Sequence, residues 1–325
     1  NAIFTLINHL HLAEKEMISH GYDADHRKAI ITYLALVIDT YADYSSSLCR
    51  WKSTTEQLIQ TLSRPALPMV WDFAEPNPFG GASGSLFGIL DKIISVTSRL
   101  EGNSGYVYRG SALNTQFNNE FFDAIITDPP YYDNVPYAIL SDFFYVWLKR
   151  SIGHLYPEHF ASAGTPKKTE AVADAKRHGG SKSDAKRMYE DMMFKSFSEA
   201  NRILKKTGPL VVVYAHKTTL GWATLVDSLR RSRFTVSEAW PLDTEMKTRQ
   251  RAQDSAALGS SVFLVARKRD NQDTGSYEED VRPELEIIVK ERVESLWEMG
   301  ISGADLLIAC VGAGLRAYTK FAKVE

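Results

Sequence analysis

Residues 121–132 contain the feature that most constrains the fold of this chain, an apolar run that stops at two consecutive prolines. The run is rich in aromatic and β-branched residues, and it is long enough for a buried strand but too short for a helix. Pro129 and Pro130 cannot donate backbone hydrogen bonds, and each disfavours helical geometry in the residue before it. We therefore predict a strand that reaches Asp128 and is followed by a stiff turn.

The end of this predicted strand combines groups that could hold a planar aromatic amine. In an open α/β sheet, ligands bind beyond the carboxyl ends of the strands. The Asp128 carboxylate and the carbonyl between Pro129 and Pro130 could accept the two N–H groups of such an amine, and Tyr131 offers a ring for stacking. Both hydrogen bonds together would draw the nitrogen toward tetrahedral geometry and free its lone pair for attack. The alternative is a strand-ending turn with a surface aspartate.

The tetrapeptide Asp128-Pro129-Pro130-Tyr131 resembles the D-P-P-Y motif of the S-adenosylmethionine-dependent amino-methyltransferases, which act on adenine N6 or cytosine N4 in DNA. The chain is also similar to one group in that class, the large prokaryotic adenine-specific DNA methylases with an N-terminal domain of unknown function and often a zinc ribbon. The segments that carry this similarity are residues 69–75, 128–137, 140–148, 215–219 and 251–257.

The resemblance implies an α/β fold with a Rossmann-like S-adenosylmethionine-dependent methyltransferase sheet, represented in part, and helical additions at both ends. It implies catalytic roles for Asp128, Pro129, Pro130 and Tyr131. Asp128 is also expected to contact the cofactor, S-adenosylmethionine.

Further site residues flank this motif in the sequence. Ser111 and Ala112 follow a short strand predicted over 105–110, and the resemblance implies that they contact the cofactor; an ordinary strand–loop junction is the alternative. The predicted substrate contacts come after the motif and at the end of a later strand: Tyr132, Asp133, Asn134, Tyr137, His216 and Lys217.

The hydrophobic pattern divides the chain into four predicted segments. These are a helical segment (1–62), a linker and helix (63–104), a methyltransferase-like α/β domain (105–269) and a C-terminal helical segment (270–325). The third segment is predicted to contain helices over 139–150, 183–206 and 222–231, and strands over 208–215, 235–240 and 261–267. This succession matches the second half of a methyltransferase sheet, and it would place His216 beside Asp128 if their strands are parallel neighbours.

Three loops have more than one interpretation. Residues 77–84 resemble the D-P-F-x-G-x-G turn that holds the methionine end of the cofactor, but the strand expected before such a turn is missing. Residues 165–187 hold seven basic and three acidic side chains, as expected of a solvated loop or of a mobile lid that contacts phosphates. Residues 311–315 could form a cofactor loop, although their composition favours a helix.

The composition bears on which binding partners the protein can have and in which cellular compartment it is expected. The formal charge of −2 neither demands nor excludes nucleic acid, so any basic surface must be local. Cys49 and Cys310 are the only cysteines, too few for the zinc ribbon of the similar proteins. No apolar run is long enough to span a membrane, which predicts a cytoplasmic protein without a membrane partner. Because the first residue is Asn1, we expect an internal piece of a longer product, whose missing N-terminal portion is a candidate partner.

The predicted activity is transfer of a methyl group from S-adenosylmethionine to an exocyclic amine of a DNA base, with adenine N6 preferred over cytosine N4. Such transfer needs no cysteine nucleophile, because positioning and electrostatics suffice. The target base must first leave the helix. The alternatives are a methyltransferase that acts on RNA or on a protein amide, and a non-catalytic nucleic-acid-binding fragment without a cofactor loop.

Overall fold

The structure of the protein is a computed structural model that describes residues 2–63, 69–82, 84–100, 105–132, 135–214, 219–242, 261–270, 272–299 and 304–325. Its internal contacts divide the chain into two compact units. The first, which we call the helical unit, contains Asn1–Tyr106 and Pro136–Glu170. The second, the sheet unit, contains Val107–Val135 and Ala171–Glu325. This division differs from the four predicted segments, because residues 136–170 group with the N-terminal helices and residues 270–325 with the sheet.

The helical unit is built from amphipathic helices and one small hairpin. The helices are α1 (Ala2–Ser19), α2 (Ala24–Asp43), α3 (Leu86–Thr97) and α4 (Tyr137–Ile152), and the hairpin strands are β1 (Arg50–Lys52) and β2 (Gln57–Ile59). Apolar residues at helical spacing place Ile7, Ile31 and Ile152 in one core shared by α1, α2 and α4.

The prediction that residues 1–62 are helical throughout is wrong after Asp43. Residues 50–59 form the hairpin, and its exit is tied to the end of α2, where the Leu62 amide donates to the Asp43 carboxylate at 3.0 Å. Helix α2 begins at an aspartate cap. Asp23 is the N-cap, because its Oδ2 accepts hydrogen bonds from the amides of Asp25 and His26.

The sheet unit contains a four-stranded mixed sheet, so the chain has an α/β fold. The strands are β3 (Ile125–Thr127), β4 (Leu210–Tyr214), β5 (Phe234–Leu242) and β6 (Ser261–Lys268), in the spatial order β3-β4-β6-β5. Strand β3 pairs parallel with β4, whereas β6 runs antiparallel between β4 and β5. Helices α5 (Lys182–Ile203) and α6 (Thr219–Arg231) supply side chains to its core. The strands and helices predicted for the sheet unit after residue 120 are therefore confirmed in type and order.

Strands β3 and β4 are parallel neighbours, the condition under which His216 would lie beside Asp128; His216 itself lies outside the described residues. Ile125 pairs with Leu210 and Thr127 with Val212. The chain enters β4 through Gly208, where a Cβ atom would lie 2.6 Å from the carbonyl oxygen of Asp123. Only glycine permits this approach, so Gly208 helps to fix the register of the two strands.

The C-terminal region belongs to the sheet unit and packs on its sheet. It contains β7 (Thr274–Gly275), α7 (Arg282–Glu298), α8 (Ala304–Thr319) and β8 (Lys323–Val324), and β7 pairs parallel with β8. Residues 311–315 lie inside α8, which confirms the helical interpretation of that segment. A Cβ atom at Gly312 would collide with Ala239 of β5, so this glycine allows α8 to approach the sheet closely.

The strand predicted over 105–110 is absent from the structure. These residues have no regular secondary structure, and Ser111 makes only an isolated bridge with Asn114. Val107 is 97% exposed, because no described strand lies beside it to bury its side chain. Among the described residues, no helix is both long and apolar enough to cross a membrane.

Helix α2 contains a buried carboxyl group, that of Asp39. Asp39 is 7% exposed, and within the described structure its Oδ1 has no donor. Burial, reinforced by the nearby negative charge of Asp43, raises the pKa of Asp39 from 3.8 to about 7. The folded protein thus holds a proton that the unfolded chain releases.

We predict that the stability of the helical unit falls as the pH rises from about 4 to about 7. In that window the folded state binds more protons than the unfolded state, and stability then decreases with pH. The Asp39→Asn variant lacks this proton, so its thermal midpoint should depend on pH less than that of the wild type; burial also raises the pKa of Asp43, which keeps part of the dependence. At pH 8 it should exceed the wild-type midpoint by more than about 2 °C.

Thermal melts between pH 4 and pH 8 measure this effect. The matched control is Asp25→Asn, which changes an exposed carboxyl group in the first turn of the same helix. A wild-type midpoint that did not fall across this range would contradict the assignment of a proton to Asp39.

Candidate functional site

A cavity of about 500 Å³ lies in the sheet unit along β3 and the turn that follows it. One wall is formed by residues 124–130, and the other by α5 through side chains that include Met193, Phe197 and Ile203. Ala112 and Thr115 line it as well. The walls are mostly apolar, and the volume is within the range of small-molecule sites, about 300–1,000 Å³.

Asp128 lies at the wall of this cavity and is exposed to solvent. No described residue donates a hydrogen bond to its carboxylate or to the carbonyl oxygen of Pro129. Ile126, two residues earlier in β3, is 73% exposed, because β4 is the only described neighbour of this strand. Of the two acceptors expected to hold an amine, the Asp128 carboxylate is thus accessible beside an apolar space, and Pro129 lines the same space.

The turn after Asp128 is held from behind by α5. Pro129 is buried, and Tyr132 has a positive φ of 24°, which is uncommon for a residue other than glycine. The Tyr189 hydroxyl donates to the Pro130 carbonyl at 2.6 Å and accepts from the Tyr132 amide at 3.1 Å. The Ala173 amide donates to the Tyr132 carbonyl at 2.9 Å.

The two tyrosines of the turn pack against aromatic side chains of the sheet unit. The ring of Tyr131 meets Tyr214 edge to face at 5.2 Å, and Tyr214 in turn meets Trp222 at 5.2 Å. The ring of Tyr132 meets Tyr189 edge to face at 5.2 Å. Tyr131 is half-buried and is not among the residues that line the cavity. Its stacking on a substrate ring therefore stays a prediction.

An ion pair between the buried Glu199 and the part-exposed Arg202 lies beside the cavity. Glu199 of α5 accepts hydrogen bonds from the amide and the hydroxyl of Thr115, both at 2.7 Å, and from the Arg202 guanidinium at 2.7 and 2.8 Å. Arg202 also donates to Asn119 and to the carbonyl of Phe117. Hydrogen bonds from Arg202 and Thr115 lower the pKa of Glu199 to about 2. This network fixes residues 115–119 against α5.

The structure brings together only some of the predicted site residues. Asp128, Pro129, Pro130 and Ala112 line the cavity. Ser111 does not line it; its hydroxyl accepts a hydrogen bond from the Leu113 amide. Tyr137 belongs to the helical unit, at the first position of α4. The remaining predicted contacts lie outside the described residues: Asp133, Asn134, His216 and Lys217.

The other candidate loops give a mixed result. Residues 77–82 and Gly84 belong to the helical unit and precede α3, whose N-cap is Ser85, and no described strand directly precedes them. Several basic side chains of 165–187 are paired, as in Lys167–Asp142 and Arg187–Asp184. Lys176 and Lys182 have no ion-pair partner within the described structure. Contact between this segment and phosphates stays a prediction.

Comparisons with protein-family models, with curated proteins and with solved structures find no match to this chain.

The sequence did not single out Tyr189 and Glu199, although both shape the site. Each is buried on the face of α5 that also buries Met193 and Phe197. A polar residue at helical spacing within an apolar stripe is expected to be buried and to have a hydrogen-bond partner, because burial of a polar side chain without one costs free energy. That signal was present in the sequence, but it does not reveal the partner.

We predict that Glu199→Gln lowers the stability of the sheet unit at pH 7 by about 1.5–3 kcal/mol, the usual contribution of hydrogen bonds to a charged group. The carboxylate binds fewer protons in the folded than in the unfolded state between about 2 and 4.5. Its contribution is therefore present above this window and is lost as the pH falls through it. The difference between wild type and variant should shrink from pH 7 to pH 3.

Urea denaturation at the two pH values measures this difference. The matched control is Asp191→Asn on the same helix, which removes an exposed ion pair with Lys195 and should cost less than about 1 kcal/mol. Equal losses in the two variants would show that Glu199 is not a buried anchor.

Proposed function

We propose that the protein is an S-adenosylmethionine-dependent methyltransferase that acts on an exocyclic amine of a DNA base, with adenine N6 preferred. One observation carries the proposal. Asp128 and the Pro129 carbonyl, both without donors in the described structure, stand at the wall of a ligand-sized apolar cavity beyond a parallel strand. This is the location at which open α/β sheets bind ligands. The D-P-P-Y resemblance gives the chemistry.

The acceptors would act on the amine directly. An exocyclic amine has two N–H groups, and Asp128 together with the Pro129 carbonyl can accept one from each. These hydrogen bonds pull the nitrogen out of conjugation with its ring, so that its lone pair becomes available. Because Asp128 is charged, its hydrogen bond should be the stronger of the two. The proton that the amine loses after transfer can pass to solvent.

The cavity offers a partial fit for the cofactor. S-adenosylmethionine supplies an electrophilic methyl group when it is bound. Phe122, Met193 and Phe197 present apolar surface for its adenine ring, and Ala112 and Asp128 are the predicted contacts that share this cavity. Glu199 also lines the cavity, but its oxygens are engaged by Thr115 and Arg202, so we assign it a structural role.

The activity of Asp128→Ala is the direct test of the proposal. We expect methyl transfer to DNA to fall more than about 100-fold, the scale of a lost electrostatic contact in the transition state. Stability should change by less than about 0.5 kcal/mol, because the side chain is exposed and no described residue donates to it. Transfer of labelled methyl groups and urea denaturation measure the two quantities.

The matched control is Asp123→Ala, at the other end of the same strand. Asp123 is also exposed, and its carboxylate pairs with Lys205 at 2.6 Å. It lies outside the cavity lining, so its removal should leave transfer unchanged. Full activity in the Asp128 variant would overturn the mechanism.

Cofactor titration and substrate comparison separate the remaining alternatives. Calorimetry with S-adenosylmethionine tests whether the chain binds the cofactor, and failure to bind favours a non-catalytic nucleic-acid-binding role. Methyl incorporation into DNA, RNA and protein should be largest for DNA. Preferential labelling of RNA or protein would move the proposal to another substrate class.

A further inference from the structure

The Tyr189 hydroxyl bridges two backbone groups of the turn that follows Asp128. Its oxygen lies 2.6 Å from the carbonyl oxygen of Pro130, to which it donates, and 3.1 Å from the amide nitrogen of Tyr132, from which it accepts. The hydroxyl thus stands between a carbonyl and the N–H two residues later. In a γ-turn those two groups would bond to each other. Tyr189 holds them apart and sets an open turn.

This bridge is built into the core. Tyr189 is 1% exposed, and its ring packs edge to face on Tyr132 at 5.2 Å. A buried phenol needs partners for its hydroxyl, and these two backbone groups provide them. The positive φ of Tyr132 is an uncommon conformation for a residue with a side chain, so the turn needs support from its surroundings.

The bridge uses a carbonyl that is not one of the two proposed acceptors, Asp128 and the Pro129 carbonyl. Tyr189 engages the carbonyl of Pro130, one residue after the carbonyl that is proposed to hold the amine. Since proline fixes φ at Pro129 and Pro130, restraint of the Pro130 carbonyl limits the remaining freedom of this turn.

We infer that Tyr189 is a positioning residue for methyl transfer, one that fixes the Pro-Pro-Tyr turn so that its acceptors meet the amine in the reactive geometry. The inference rests on the proposed function. It assigns Tyr189 no contact with substrate or cofactor. Small displacements of reacting groups lower the rate strongly, on the order of 100-fold for 1 Å.

The test compares Tyr189→Phe with Tyr145→Phe. The first variant removes the bridging hydroxyl and keeps the ring. The second removes a hydroxyl that donates to the Ser162 carbonyl at 2.7 Å in the helical unit. For Tyr189→Phe we expect kcat to fall roughly 10- to 100-fold, with KM for DNA and the Kd of the cofactor changed less than about threefold. Tyr145→Phe should match the wild type in all three.

Amide hydrogen exchange tests the bridge without any activity. Prolines have no N–H group and the first residue of a peptide has no amide, so a peptide that begins at Asp128 and ends at Tyr132 reports only the amides of Tyr131 and Tyr132. Its exchange should accelerate in Tyr189→Phe and stay unchanged in Tyr145→Phe. If Tyr189→Phe does not fold, 3,5-difluorotyrosine at position 189 replaces it. That side chain keeps the ring and the hydroxyl, but its oxygen is a weaker acceptor, so the bond from the Tyr132 amide should weaken and exchange of this peptide should accelerate.

The outcomes separate this inference from the proposed function. Faster exchange in Tyr189→Phe with unchanged kcat overturns the positioning role and leaves the proposed function standing. Unchanged exchange overturns the bridge itself. A loss that appears in KM or in the cofactor Kd rather than in kcat shows a merely structural role. A wild-type protein that binds S-adenosylmethionine but transfers no methyl group overturns the proposed function and this inference with it.

Discussion

The candidate site depends on the parallel pairing of β3 with β4. The ladder covers only Ile125–Thr127, so it needs support from both ends. Before the strand, Phe122 exchanges backbone hydrogen bonds with Ile203 and Lys205 at the end of α5. After it, Tyr131 packs on Tyr214, which continues β4 past the end of β3. A short strand is thereby fixed at both ends, and Asp128 comes to the mouth of the cavity as a consequence.

Helix α5 is the template that gives the cavity its shape. Tyr189 holds the turn after β3, and Glu199 holds residues 115–119. Their separation of ten positions corresponds to about 15 Å along the helix axis, at 1.5 Å per residue. The apolar side chains between these anchors, Met193 and Phe197, line the cavity. One rigid element therefore sets the distance between the turn after β3 and residues 115–119, which loops alone would leave variable.

The sequence predicted the parts of this arrangement that depend on local pattern. Strand β4 and helix α5 have the run and the periodicity that burial requires, and the double proline marks the end of β3. The hydrophobic pattern did not predict the structure correctly where a residue distant in sequence decides whether a segment forms a strand or which contact a side chain makes. Val107 lies within a strand-like run, yet no described strand pairs with that run and Val107 remains exposed. The partners of Tyr189 and Glu199 are distant in sequence, so spacing alone could not reveal them.

The exposure of Asp128 is consistent with its proposed role when it is set beside Asp39. A carboxyl group buried without donors becomes protonated, as the raised pKa of Asp39 shows, and a protonated carboxyl group has lost acceptor capacity. Asp128 has no described donor either, but solvent reaches it and can hydrate its oxygens in the free protein. An arriving base would displace that water and surround the carboxylate with apolar walls, where hydrogen bonds to it are stronger. The Asp128 carboxylate is therefore solvated before the base binds. Because Tyr189 holds the turn that follows it, the geometry of the site stays fixed during the reaction.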